Sequence, residues 1–189
     1  MKRLVVLAGY AAILLGFAGC RNPGEKISGW GNKAVLPPDV AGVWQAQDSP
    51  WKIVLAPDGT VVSALVPMGE AEVRPNQTTK FEMQDGNFSH ITAGECFVEY
   101  QPEGRQLIVG IELKDIHISF PDDALDGNSI DWFAGPVSED GRFWTADRIN
   151  VFDYGPRFPQ DENDINNPEP LIFEKVADYN EPNNPDKPG

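Results

Sequence analysis

Side chains able to do nucleophilic or ligating chemistry are few in this 189-residue chain: two cysteines, Cys20 and Cys96, and two histidines, His90 and His117. A protein zinc site wants three or four close nitrogen or sulfur ligands, which this set does not supply. Cys96 alternates with Val98 and Tyr100 in a strand pattern, so it reads as a small apolar core residue rather than a reactive thiol. His117 sits between Ile116 and Ile118 and therefore faces away from their apolar stripe. No Ser/His/Asp set with recognisable flanks and no phosphate-binding glycine loop is present. Two acidic runs resemble calcium loops only in composition. In residues 122–131, Ala124 stands at the third position and Phe133 at the twelfth; in the run from Asp161, Ile165 stands at the fifth. The chain is expected to hold no metal or cofactor and to have no catalytic activity. Aromatic residues are the remaining pointer. Trp132, Phe133, Trp144 and Phe152 crowd one hairpin together with Phe143 and Tyr154, and the first four are the candidate ligand-binding residues. They suit an apolar pocket or a glycan-stacking surface; a β core is the competing use of the same residues.

Cys20 carries a different chemistry. Lys2 and Arg3 precede an apolar run of 15 residues, 4–18, and the small pair Ala18-Gly19 stands directly before the cysteine. A charged start, an apolar middle and small residues before a cut make a secretory signal. The run is short of the ~20 residues that a spanning helix needs. The segment Leu14-Leu15-Gly16-Phe17-Ala18-Gly19-Cys20 resembles the lipobox of bacterial lipoproteins, with Phe17 where Leu is usual. The resemblance implies that residues 1–19 are removed and that Cys20 is acylated and carries the membrane anchor. Two or more acyl chains make such anchoring stable. In that family an Asp after the cysteine retains the protein at the inner membrane. Arg21 stands there, which implies the outer membrane, facing the periplasm.

Charge agrees with a lipid anchor and argues against nucleic acid. Fifteen basic and 29 acidic residues give a formal net charge of −14, and loss of Lys2 and Arg3 with the signal takes it to −16. Such a chain repels phosphate backbones and anionic bilayer surfaces, so the lipid must supply the attachment. Once Cys20 is acylated, Cys96 has no partner for an internal disulfide.

Behind these residues lies an all-β pattern. Residues 20–39 read as a lipidated tether broken by Pro and Gly, 40–176 as a single β domain, and 177–189 as a disordered acidic tail. Trp51, Ile53 and Leu55 alternate up to the turn Pro57-Asp58-Gly59, and residues 60–66 return as a hairpin. Residues 95–100 form a strand that ends at Pro102-Glu103-Gly104. Leu107, Val109, Ile111 and Leu113 share one face, but Ile116, Ile118 and Phe120 continue in the other phase. A bulge or sharp bend at Lys114-Asp115 is needed to keep both sets on one side. Residues 130–137 and 142–152 form a third hairpin around Glu139-Asp140-Gly141, and 171–176 is the last strand. Short strands joined by Gly-containing turns predict an antiparallel meander, closed as a barrel or folded as a β-sandwich.

Gly42-Val43-Trp44 on the first strand resembles the Gly-x-Trp signature of lipocalin-like β-barrels. In that family the Trp plugs the closed end, the last strand pairs back onto the first, and a basic residue lies near the Trp. Leu171–Val176 is similar to that last strand, and Lys175 and Arg148 are the candidates for the basic residue. The expected protein is a membrane-anchored, non-catalytic lipoprotein that binds a small apolar ligand or an envelope component. The alternative is an interaction module with a filled core that contacts another envelope protein.

Overall fold

The computed structural model describes residues 35–83, 86–161 and 165–180. The signal segment, Cys20, most of the tether and the end of the tail lie outside the described residues. Within them the chain forms ten antiparallel strands: β1 (Gly42–Ala46), β2 (Lys52–Leu55), β3 (Val61–Val66), β4 (Ala71–Val73), β5 (Thr78–Glu82), β6 (Phe88–Gln101), β7 (Gln106–Phe120), β8 (Asp123–Pro136), β9 (Phe143–Asp153) and β10 (Glu169–Asp178). Every strand pairs with its sequence neighbour except β4 with β5, and β10 also returns to β1, which makes a single sheet. Across the remaining gap, between β4 and β5, the Thr79 hydroxyl donates to Glu72 O at 2.7 Å. The sheet is thereby a nearly closed barrel, the first of the two predicted architectures and not a sandwich. Among the described residues, no helix is long and apolar enough to cross a membrane.

The predicted register slip is present. Leu113 pairs with Ser129 and Ile116 with Gly127, so Lys114 and Asp115 together oppose Asn128. This bulge returns Ile116 and Ile118 to the interior, where both are buried. The predicted turns hold as well. Gly59 takes a φ of 73° and Gly141 a φ of 69°. Glycine enters that region at little cost, because it has no Cβ to clash.

One end of the barrel is closed by the segment before β1. Leu36, Val40 and Ala41 are buried there, and the Leu36 N–H donates to Pro57 O at 2.9 Å. Arg105 pairs with Asp39 across the same end, and Lys175 Nζ donates to Pro38 O at 3.1 Å. The fold therefore begins within the stretch read as tether, because Leu36 and Val40 have apolar surface to bury.

Five aromatic rings fill the middle. Trp144 stacks on Phe173 at 4.8 Å and meets Trp44 edge-on at 6.2 Å; Phe133 meets Phe173 at 5.7 Å and Trp51 at 4.9 Å. All five are fully buried. Opposite the closed end lie the turns after β1, β3, β5 and β7 and the long connection from β9 to β10.

Candidate functional site

Strand periodicity separates the four candidate aromatic residues. Phe133 and Trp144 face inward with ring centroids 6.2 Å apart, and both belong to the core. Trp132 follows the opposite pleat to the outer face, where it lies over Gly110 and stacks on Phe97 at 5.9 Å. A Cβ at Gly110 would come within 2.6 Å of the Trp132 ring, so only glycine lets that ring lie flat on β7. Phe152 is half-buried beyond the core and stacks on Tyr154 at 4.6 Å. The structure thus joins Phe133 to Trp144 and puts Trp132 and Phe152 in two other places.

The basic candidates also divide. Lys175 is the cross-strand partner of Trp44, and its stem occupies the space a Cβ on Gly42 would need. Arg148 instead lies over Trp51, with its guanidinium carbon 5.4 Å from the ring centroid.

Around Arg148 the interior turns polar. Asp131 is 3% exposed and faces inward beside Phe133. Its Oδ1 accepts from Arg148 Nε (2.8 Å) and Asn150 Nδ2 (3.0 Å), and Arg148 Nη2 lies 2.7 Å away. Arg148 Nη1 reaches Glu169 Oε2 at 2.7 Å. Burial pushes the Asp131 pKa up, against the pull of Arg148 and Asn150. Burial also raises the Tyr154 phenol, although its bond to Ser129 works the other way. Gln160 ties this region to the β9–β10 connection: its Nε2 donates to Asn150 O at 2.7 Å, and its Oε1 accepts from the Phe152 N–H at 3.0 Å.

Trp51 completes the site. Trp44 Nε1 donates to Val40 O at 2.9 Å and Trp144 Nε1 to Gly135 O at 3.2 Å. Trp51 Nε1 is as buried as these and has no hydrogen-bond partner among the described residues. Leaving a buried donor unmade costs about 1–3 kcal/mol. The unpaired donor is thus sealed in the core, while the charged cluster over the Trp51 ring partly reaches solvent through Arg148, 23% exposed, and Glu169, 53% exposed.

The sequence pattern alone does not assemble this cluster, yet it carries a signal. Asp131 shares strand parity with Phe133, and Arg148 shares it with Trp144 and Ala146. A charge in phase with core residues must be paired inside.

A second polar cluster lies on the outer face. His90 and His117 are cross-strand partners and stack at 5.3 Å. His90 Nε2 is 3.1 Å from Asp115 Oδ2, and His117 Nδ1 is 2.6 Å from Asp126 Oδ1. His117 Nε2 is 3.1 Å from Ser119 Oγ, the order of a hydrolytic relay. Ser119 Oγ donates to Phe88 O at 3.1 Å, however, and its N–H donates to Ser89 Oγ at 3.0 Å. The hydroxyl proton is already given away, and the serine's own N–H is not free to stabilise an oxyanion.

Three of the four acids in residues 122–131 disperse to separate partners: Asp123 to Arg157, Asp126 to His117 and Asp131 to Arg148. Among the described residues, no group of three or more His, Cys, Asp or Glu could hold a metal ion. Cys96 packs against the core, and burial pushes its thiol pKa up to about 12. Comparison with protein-family models, curated proteins and solved structures gives no match.

Proposed function

We propose that this chain is a lipid-anchored lipoprotein of the bacterial envelope whose barrel binds a small ligand, without catalysis, at its open polar end. The lipobox-like segment ending at Cys20 and the acidic mature chain support the anchor, with the outer membrane as its site and the barrel on the periplasmic side. The observation that carries the binding reading is the interior pair of Asp131 and Arg148, which reaches solvent through Arg148 and Glu169. Titratable groups whose pKa is shifted by burial beside a charge partner concentrate at functional sites, and Asp131 is such a group. Phe133 and Trp144 shape this site from below as part of the core, so an apolar ligand would not lie between them. The chemistry of the outer Ser119–His117–Asp126 chain argues for a non-catalytic role, because its hydroxyl proton is committed elsewhere.

A second reading, the protein–protein interaction module, draws on the filled aromatic core and on the outward stack of Trp132 on Phe97. Native mass spectrometry of the acylated protein from its host tests both. A small-molecule adduct on the diacylated chain is expected. A bound protein without an adduct would replace the first reading by the second. The bare acylated chain would overturn both. Cys20→Ser should leave the membrane fraction, and its retention there would refute the anchor.

A further inference from the structure

We propose that the outer face of β6–β9 docks a short segment of a partner protein, apolar in its middle and basic at both ends. The proposal adds a partner chemistry to the interaction reading and uses no residue of the open-end site. It follows from the strand register. Phe97, Gly110, Trp132 and Ile149 are successive cross-strand partners on the outward pleat. Toward the open end the next row is Glu112, Ile130 and Val151. Toward the closed end it is Glu99, Ile108, Ala134 and Asp147. Ile130 and Ile149 are half-buried and Val151 is 40% exposed, so an apolar strip crosses four strands on the side away from the core. Apolar strips of this kind mark interaction surfaces.

The border of the strip names the partner. Glu99 and Asp147 stand at one end and Glu112 at the other, with Glu95 beside it: Glu112 Oε2 accepts from the Glu95 N–H at 2.9 Å. The three rows hold no lysine or arginine, and among the described residues none of these four carboxylates meets a cation. Burial raises the Asp147 pKa with no cation drawing it back. Carboxylates around an apolar strip complement a basic partner and repel an acidic one. A second copy of this chain would bring the same carboxylates face to face. An anionic bilayer would be repelled as well. The spacing is set too. The two acidic rows lie four residues apart along each strand, about 13 Å, which is the reach of an extended segment with basic residues four positions apart.

The test uses residues 20–189 carrying Cys20→Ser, with the Ile and Val methyl groups labelled for NMR. The probe is the peptide acetyl-Lys-Leu-Leu-Leu-Lys-amide. Controls replace both Lys by Glu, or all three Leu by Ser. The probe is expected to shift the Ile130, Ile149 and Val151 methyl signals in a saturable way, less so as salt rises, while neither control binds. Glu112→Gln with Asp147→Asn should weaken binding about fivefold. Glu70→Gln with Glu103→Gln removes the same charge from exposed positions elsewhere and should change it less than twofold. Ile149→Ser, on the outward pleat, should weaken it about tenfold. Equal weakening by the two charge pairs, or a Ser control that binds as tightly as the probe, would reduce the effect to diffuse charge and overturn the proposal. Methyl signals that stay fixed would overturn it, as would shifts that follow protein concentration alone, which would make the occupant a second copy. None of these results touches Arg148 or Glu169, so the open-end reading stands or falls separately, and a partner bound at another face would keep the interaction reading.

Discussion

Replacing Arg148 by Met should destabilise the barrel because of what it leaves behind. Met keeps most of the stem volume, so little apolar packing changes. Asp131 would then lose its guanidinium partner while its side chain stays only 4% exposed. Breaking a buried pair from one side costs about 3–5 kcal/mol. Arg148 is itself 23% exposed, and Asn150 still bonds Oδ1 at 3.0 Å. The lower end, about 3 kcal/mol, therefore applies. At about 2–4 °C per kcal/mol, Tm should fall by roughly 6–12 °C. The sign with pH is fixed. Asp131 already has a raised folded pKa, and the variant raises it further. Between the unfolded value of about 3.9 and that higher value the folded state binds the extra proton, so stability falls as pH rises through the window. The deficit should be large near pH 7.5 and shrink toward about pH 4. Urea unfolding followed by tryptophan fluorescence measures it, with the midpoint moving and the slope unchanged. Asp131→Asn added to Arg148→Met should recover most of the loss. Arg74 and Glu72 form a control pair, both well exposed. Arg74→Met should cost under about 1 kcal/mol, as exposed pairs do. An Arg148→Met variant as stable as the parent near neutrality, or one that Asp131→Asn does not rescue, would refute the account of the interior pair.

Other expectations are shorter. Trp144→Ala should cost about 3–5 kcal/mol, since it removes a fully buried ring that touches Trp44, Phe133 and Phe173; a loss below about 1 kcal/mol would contradict the filled core. Cys96 should resist iodoacetamide in the folded protein at mildly alkaline pH and react once urea unfolds it, because its thiol pKa is pushed up to about 12. Rapid labelling of the native state would contradict that. Ser119 should not be labelled by a fluorophosphonate; an adduct there, found by peptide mass spectrometry, would contradict the non-catalytic reading.

The fold was legible where one apolar face per strand is unambiguous. The Lys114-Asp115 bulge could be read because Leu113 and Ile116 must both point inward. The return of β10 to β1 could be read because two edges needed closing. Strands β4 and β5 were not legible: β4 has only three residues, β5 has none that is fully buried, and the ladders with β3 and β6 hold them. The site was half legible. Grouping Trp132 with Phe133 ignored that neighbours on a strand face opposite ways. Asp131 and Arg148 lie on β8 and β9 in phase with core residues, but 17 positions apart in the chain, and only the register brings them face to face. The missing acceptor of Trp51 has no sequence signal, because Trp44 and Trp144 find theirs in backbone carbonyls that the fold happens to present.

The most direct test of a ligand at the open end is a crystal structure of the protein purified from its host envelope without denaturation. The account predicts density for a small molecule bonded to Arg148 or Glu169, the members of the interior cluster that reach solvent. An Arg148–Asp131–Glu169 cluster that meets only protein groups and water would contradict it.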